Sequence, residues 1–212
     1  MIRRLWWLGL QTLTCWLGAT FFRFRAHGIA NVPRTGGIIL ACNHQSYFDP
    51  VIASAALSRS VTFMARDTLF KKAPFRFLIE SLNAFPVQRG KADLGAMKQS
   101  LRRLRDGWPL LVFPEGTRTK DGSIGSMRGG IGVLASRARV PVVPTLILGA
   151  FEAWPRDAKL PHPSPIEVRY GKPLPDDIAW DADKVGPALE EALNALRFDR
   201  RAAYGIGVNP RL

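Results

Sequence analysis

The chain has 212 residues, 47% of them hydrophobic, which suits one globular domain with a substantial core and excludes a disordered chain. Its two cysteines, Cys15 and Cys42, are too few for a framework of disulfide bridges. The net charge of +13 favours binding to anionic partners, which are nucleic acid, anionic lipid headgroups or an acidic carrier protein. Nucleic acid is disfavoured, because the sequence has no zinc-finger spacing, no RNP-like motif and no block of basic residues.

The N-terminal segment predicts a helix at a membrane surface. No charged residue occurs from Leu5 to Phe22, and two arginines flank this run on either side. A helix of that length spans about 27 Å, slightly less than a bilayer core, and its tryptophans favour the headgroup boundary. We therefore expect residues 1–27 to form a membrane-associating helix that lies in one leaflet. A cleaved signal peptide and a helix packed on the domain's own core are the alternatives.

Beyond this segment, residues 28–212 alternate short apolar runs with helical stretches, as is typical of an α/β domain. The apolar runs predict strands at 37–42, 61–64, 84–87, 109–113, 142–148 and 166–170. The other stretches predict helices at 50–57, 74–82, 93–105, 130–138 and 183–198. The expected architecture is a mixed, largely parallel central sheet flanked by helices, and ligands of such sheets bind at the carboxyl ends of the strands.

His44 and Asp49 are the candidate pair for proton transfer. Neutral imidazole is suited to accept a proton near pH 7, and a carboxylate on its other nitrogen can orient the ring and stabilise the imidazolium. A five-residue offset places side chains about 140° apart on a regular helix, so His44 must lie outside the helix to meet Asp49. Asp49 also precedes Pro50. It could therefore cap the helix, follow a cap at Ser46, or combine such a role with the pairing.

A second polar turn, Glu115-Gly116-Thr117-Arg118, follows the strand predicted at 109–113 and is a candidate clamp for an anion. Arg118 offers a planar fork suited to phosphate, Gly116 lets the backbone approach a ligand, and Thr117 supplies a hydroxyl. Glu115 would repel a phosphate, so we expect it to pair with Arg118 or Arg89, or to contact a substrate hydroxyl. A surface turn with an ordinary ion pair is the alternative.

Other chemistries have little support in the residue pattern. No Gly-x-Ser-x-Gly sequence marks a nucleophilic serine, and Cys42 is better explained as a small residue that ends a strand. The cysteines and the three histidines lack the spacing of zinc ligands, and neither a Walker A loop nor a dinucleotide-binding fingerprint occurs. The sequence therefore predicts no metal ion and no cofactor.

Four blocks, in order, resemble those of the glycerolipid acyltransferases of the 1-acylglycerol-3-phosphate acyltransferase type. They are Asn43-His44-Gln45-Ser46-Tyr47-Phe48-Asp49, Ala84-Phe85-Pro86-Val87-Gln88-Arg89, Phe113-Pro114-Glu115-Gly116-Thr117-Arg118 and Val140-Pro141-Val142-Val143-Pro144. The resemblance covers about residues 28 to 170. Asn83 stands where the second block usually begins with glycine, although asparagine is the next residue most tolerant of a left-handed backbone. Gly129 departs too, at a place that is often basic in that family.

The resemblance implies transfer of a fatty acyl chain from acyl carrier protein or acyl-CoA to the free hydroxyl of 1-acylglycerol 3-phosphate. The product would be phosphatidic acid, formed at the cytoplasmic face of the cell membrane. His44 would be the general base and Asp49 would orient it, while Arg89, Arg118 and Thr117 would anchor the acceptor phosphate. A lyso-ornithine lipid or another lysophospholipid is the alternative acceptor. A non-catalytic basic membrane-binding protein and a thioesterase are the alternatives from other classes.

Overall fold

A computed structural model describes residues 2–88 and 93–198, and the strands of this part form one mixed sheet. The strands are β1 (Arg25–His27), β2 (Ile38–Cys42), β3 (Thr62–Arg66), β4 (Ala84–Val87), β5 (Pro109–Val112), β6 (Val142–Leu148) and β7 (Glu167–Tyr170). Their order across the sheet is β1-β7-β6-β2-β5-β3-β4. The strands from β6 to β4 run parallel, whereas β7 and β1 run antiparallel to them. The predicted mixed, largely parallel sheet of an α/β fold is confirmed, but the short edge strand β1 was not predicted.

Helices cover both faces of this sheet. They are α1 (Ile2–Phe22), α2 (Asp49–Ala55), α3 (Ala73–Ser81), α4 (Leu94–Arg105), α5 (Gly130–Ala138), α6 (Ala150–Ala153), α7 (Asp176–Ala179) and α8 (Val185–Phe198). Two 3-10 turns, Ile29–Asn31 and Asp67–Lys71, complete the described elements. The sequence predicted the longer helices and missed α6, α7 and the 3-10 turns, since a single turn of helix carries too little periodicity to be detected.

Residues of β2 alternate between two hydrophobic cores, one on each face of the sheet. Ile38, Leu40 and Cys42 pack with α2, α3 and the end of α1, whereas Ile39 and Ala41 pack with α4, α5 and α8. This alternation follows from the two-residue period of a strand. Because both faces are covered, all five residues of β2 are buried, which explains why the strand is uniformly apolar in sequence.

Helix α1 packs on the domain with one face and exposes apolar residues on another. The side-chain amide of Gln11 donates hydrogen bonds to the carbonyl oxygens of Ala55 and Leu57, at the end of α2. Its exposed large residues are Leu13, Trp16, Leu17 and Phe21. Among the described helices, none combines the length and the apolar character that crossing a bilayer requires.

Asn83 adopts a left-handed backbone, with φ of 65°, immediately before β4. The backbone carbonyl of Asn83 accepts a hydrogen bond from the Thr62 hydroxyl at the start of β3. The turn therefore has the geometry for which glycine is usual, and asparagine is tolerated there as the sequence indicated.

Candidate active site

The loops that follow β2 and β5 meet at the carboxyl edge of the sheet. These two strands are parallel neighbours, so their loops leave the sheet side by side. The backbone N–H of Thr119 donates a hydrogen bond of 2.8 Å to the carbonyl oxygen of His44. Asn43 anchors the first loop to β6, because its side-chain amide exchanges two hydrogen bonds with the backbone of Ile147. The structure thus brings the two polar segments of the sequence into one site.

His44 and Asp49 form a buried hydrogen-bonded pair. His44 Nδ1 lies 2.7 Å from Asp49 Oδ2, and the same oxygen accepts from the backbone N–H groups of Gln45 and Ser46 at 2.6 and 2.8 Å. Asp49 is the first residue of α2, and Phe48 precedes it at the capping position without a side-chain cap. The carboxylate therefore binds the loop that carries His44 instead of capping its own helix.

The ring of His44 is fixed on two sides. It stacks on Phe113, with ring centroids 4.0 Å apart and planes 18° from parallel, and only 8% of its side chain is exposed. A carboxylate at Nδ1 favours the tautomer that carries its proton on that nitrogen. Nε2 is then the nitrogen with a free lone pair, which is the atom that a general base requires.

Glu115 holds the backbone of the same loop. Its Oε1 accepts from the His44 N–H at 2.9 Å, and its Oε2 accepts from the Gly125 N–H at 3.1 Å. Burial raises the pKa of Glu115 to about 7; the two backbone hydrogen bonds oppose this rise, and the charge of Asp49 adds to it. Within the described residues Glu115 forms no ion pair with Arg118, so this part of the expectation from sequence is corrected. Each of its two oxygens accepts a hydrogen bond from a backbone N–H instead.

Arg118 is positioned by an aromatic ring. Its guanidinium carbon lies 3.6 Å from the centroid of the Tyr47 ring, which is the geometry of a cation–π contact. One terminal nitrogen, Nη1, is buried and has no hydrogen-bond partner in the part of the chain that the structure describes. A buried donor without a partner is unfavourable, and an anionic oxygen of a ligand would satisfy it.

Gly116 and Arg128 form the other side of this turn. Gly116 has φ of 71°, and a Cβ atom there would come within 2.8 Å of Arg128 Nε. Arg128 Nε donates a hydrogen bond of 2.9 Å to the carbonyl oxygen of Glu115, while the residue as a whole stays exposed. Sequence reasoning missed Arg128. The available signal was its place directly before Gly129, where that family often has a basic residue.

Two predicted site residues, Thr117 and Arg89, remain to be located. Thr117 is exposed on the turn. Arg89 lies outside the described residues, although β4, the strand before it, ends at the same edge of the sheet as β5 because both run parallel to β3. Within residues 2–88 and 93–198, no group of three or more His, Cys, Asp and Glu side chains could hold a metal ion.

An apolar cavity of about 480 Å³ lies beside the histidine loop. It is lined by residues of α1, α2 and the segment 161–166, and Phe22 and Phe48 are among its lining residues. Trp154 contacts both Phe48 and Tyr47, with ring centroids 4.9 and 5.2 Å apart. Sequence reasoning did not identify this cavity, since three separate segments of the chain form its wall. A row of aromatic rings thus connects the cavity with the ring under Arg118.

The sheet topology and the histidine–carboxylate pair at its carboxyl edge define an α/β domain with a candidate acid–base site. The chain belongs to the Acyltransferase family, because a family model of that description matches residues 23–148. A crystal structure of the 1-acyl-sn-glycerophosphate (LPA) acyltransferase PlsC from Thermotoga maritima superposes with a TM-score of 0.78 at 22% identity. The superposition covers 92% of this chain and 80% of that one, and it shows that the fold is shared.

Curated relatives include enzymes from plants and bacteria. The 1-acyl-sn-glycerol-3-phosphate acyltransferase LPAT1, chloroplastic, of Arabidopsis thaliana is 27% identical over 159 residues, which are 73% of this chain and 44% of that protein. The 1-acyl-sn-glycerol-3-phosphate acyltransferase of Bacillus subtilis (strain 168) is 28% identical over 167 residues, which are 77% of this chain and 81% of that protein. The chain spans about half the length of the plant relatives that it matches.

Proposed function

We propose that this protein transfers a fatty acyl chain from a thioester donor to the free hydroxyl of 1-acylglycerol 3-phosphate, which gives phosphatidic acid. One observation carries this proposal. The buried His44–Asp49 pair lies at the same edge of the sheet as Arg118, whose buried Nη1 lacks a partner among the described residues. The names of the bacterial and plant relatives support the same acceptor.

His44 would act as the general base. As the acceptor hydroxyl attacks the thioester carbonyl carbon, Nε2 takes the hydroxyl proton, and the C–S bond then breaks. The imidazolium returns this proton to the departing thiolate, so the histidine is unchanged after each cycle. Asp49 would stabilise the imidazolium through the 2.7 Å contact at Nδ1. A base placed in this way contributes about a hundred- to ten-thousand-fold in rate.

Arg118 would bind the phosphate of the acceptor. Tyr47 holds the guanidinium in place before substrate arrives, so less conformational freedom is lost on binding. Arg128 lies on the other side of Gly116 and would add positive charge. The Thr117 hydroxyl is neutral and would donate a hydrogen bond to the phosphate. From the family resemblance we include Arg89 in this group. Glu115 would act indirectly, by holding the backbone of His44.

The apolar cavity would receive an acyl chain. Its lining is almost wholly apolar, and its volume of about 480 Å³ lies within the range of small-molecule sites. The donor would be acyl carrier protein or acyl-CoA, since either is an anionic partner for a chain of net charge +13. We place the protein at the cytoplasmic face of the cell membrane, with the exposed apolar face of α1 in one leaflet.

Purified protein in micelles, supplied with labelled acyl donors and a panel of lysolipid acceptors, tests this proposal. His44→Ala should lower transfer by at least about a hundredfold with unchanged thermal unfolding. Arg118→Ala should raise the KM for 1-acylglycerol 3-phosphate by about ten- to a hundredfold. Arg105→Ala, at an exposed position of α4, should leave this KM unchanged.

Several outcomes would contradict the proposal. Near-normal transfer by His44→Ala would show that His44 is not the general base. A fall in kcat for Arg118→Ala without a change in the KM for the acceptor would show that Arg118 does not bind the acceptor phosphate. Preference for lyso-ornithine lipid would identify another acceptor. Fatty acid release without acceptor would indicate a thioesterase, and lipid binding without turnover would indicate an adaptor.

A further inference from the structure

Helix α3 exposes nearly all of its side chains. Of residues Ala73–Ser81, only Ile79 is buried. Three of the exposed residues are large and apolar, namely Phe75, Phe77 and Leu78, and Phe77 is 72% exposed. Leu69, in the 3-10 turn before the helix, is exposed as well. Single exposed apolar residues are common on soluble proteins, but several within one short segment mark an interaction surface.

The direction of Phe77 excludes a role in the core. Two positions along a helix correspond to a rotation of about 200°, so Phe77 lies about 160° around the helix from the buried Ile79. An amphipathic surface helix normally has a polar residue at such a place. On α4, for comparison, Lys98, Arg102 and Arg105 are exposed and basic, and the large apolar residue that is exposed is Leu94, the first of the helix. The outer face of α3 therefore carries several large apolar residues, whereas that of α4 carries mainly basic ones.

Basic residues border this apolar surface. Lys71 and Lys72, at the start of the segment, are exposed and form no ion pair within the described residues. Arg76 lies on the helix itself, where it pairs with Glu80 at 2.8 Å. Aromatic side chains beside unpaired lysines are the combination by which an amphipathic helix binds an anionic bilayer. An acidic protein would be attracted by the same charges, but exposed Phe77 and its neighbours favour a hydrocarbon interior.

Helices α3 and α1 lie on the same face of the sheet. Both helices cover the face of the sheet that carries Ile38, Leu40 and Cys42. Gln11 of α1 and Leu82, directly after α3, line one small groove, in which residues of α2 lie between them. The 3-10 turn before α3 follows the carboxyl end of β3, at the edge of the sheet where the loop of His44 lies.

We propose that residues 67–81 form a second membrane-contact surface, separate from the N-terminal helix. Phe75, Phe77 and Leu78 insert among the lipid tails of an anionic bilayer, and Lys71 and Lys72 contact its headgroups. With α1 and α3 both on the bilayer, the carboxyl edge of the sheet is held at the surface where a lysolipid resides. Lipid binding of this kind is measured without acyl donor or acceptor, so it stands or falls independently of the proposed function.

Flotation of the full chain with vesicles tests the surface. The vesicles consist of phosphatidylcholine with about one third phosphatidylglycerol, or of phosphatidylcholine alone. Phe75→Ser/Phe77→Ser should weaken binding to the mixed vesicles about tenfold or more. Lys71→Glu/Lys72→Glu should weaken binding to the mixed vesicles by a similar factor and leave binding to neutral vesicles unchanged.

Matched changes on the opposite face of the sheet serve as controls. Leu94→Ser removes an apolar residue that is 67% exposed, and Lys98→Glu/Arg102→Glu reverses two exposed charges, both on α4. These variants should bind vesicles as the natural protein does. Thermal unfolding of each variant shows whether it is folded.

A labelling experiment covers the case in which α1 alone dominates the affinity. In a Cys15→Ser background, an environment-sensitive dye at Phe77→Cys should shift to the blue on mixed vesicles, and a dye at Leu94→Cys should not. Unchanged flotation of both α3 variants together with an unshifted dye at position 77 would overturn the proposal. A dye shift on concentrating the protein without lipid would identify a second copy of the chain as the occupant. Loss of binding to acyl carrier protein by the α3 variants, together with normal flotation, would identify an acidic protein as the occupant of this surface. Either of these two results would also overturn the proposal.

Discussion

Replacing Glu115 with glutamine would show whether burial determines the charge of this residue. In the natural protein, its two oxygens accept from the N–H groups of His44 and Gly125. The amide oxygen of Glu115→Gln can keep the bond to His44, but the amide NH2 group would face the Gly125 N–H, which is also a donor. The loss of one buried acceptor lowers the free energy of unfolding by about 1 to 3 kcal/mol at every pH.

The titration of Glu115 adds an effect that depends on pH. A pKa of about 7 in place of 4.5 makes ionisation about 3 kcal/mol less favourable in the folded protein than in the unfolded chain. Below pH 4.5 the carboxyl is protonated in both states, so this stabilisation is fully present. Between pH 4.5 and about 7 only the unfolded chain ionises, and the stabilisation is lost as the pH rises. We expect about 2 kcal/mol of it to be measured, because water screens part of the effect.

Urea unfolding followed by tryptophan fluorescence, at about pH 5 and about pH 8, measures this difference. The free energy of unfolding of Glu115→Gln minus that of the natural protein should be larger by about 2 kcal/mol at about pH 8 than at about pH 5, because only the natural protein loses stability between them. Glu80→Gln is the matched control, since Glu80 is an exposed partner of Arg76 and should show no such change. A relative stability of Glu115→Gln that differs by less than about 0.5 kcal/mol between the two pH values would refute burial as the cause.

Two further predictions concern the backbone. Asn83→Ala should lower the free energy of unfolding by about 1 kcal/mol because of the left-handed φ of 65°, whereas Asn83→Gly should change it by less than about 0.5 kcal/mol. Equal stability of the two variants in urea unfolding would show that φ is not the constraint. Gly132→Ala should destabilise by at least about 2 kcal/mol, because its Cβ would lie 2.2 Å from the carbonyl oxygen of Ala182. Gly130→Ala, on the same helix with nothing within 4 Å of its Cβ, is the control, and thermal unfolding should show no loss.

Local patterns in the sequence were sufficient to predict most of the fold. The strand β2 was predictable because a strand buried on both faces is apolar at every position. The position of His44 after this strand, outside α2, followed from the same pattern. β1 was not predictable, since its three residues Arg25–His27 lack an apolar run and are held by pairing with β7, far along the chain.

The candidate site, like the fold, was predictable from the sequence only in part. The sequence by itself determined which residue types occur at the strand ends: a histidine with a carboxylate five residues on, and a glycine-containing turn with an arginine. Both depend on short spacing, which a sequence displays directly. The sequence also determined the apolar, uncharged run of the N-terminal helix and the net charge of +13.

Only the tertiary structure decided which groups these residues meet. Glu115 was expected to pair with Arg118 or Arg89, or to contact a substrate hydroxyl. In the structure it does not pair with Arg118, and its Oε1 accepts from the backbone N–H of His44, because the adjacency of β2 and β5 places that N–H within reach. The ring of Tyr47 under Arg118 and the outward direction of Phe77 on α3 were equally absent from the sequence pattern. Contacts between distant residues depend on strand order, register and helix rotation, and no local spacing of residues specifies these.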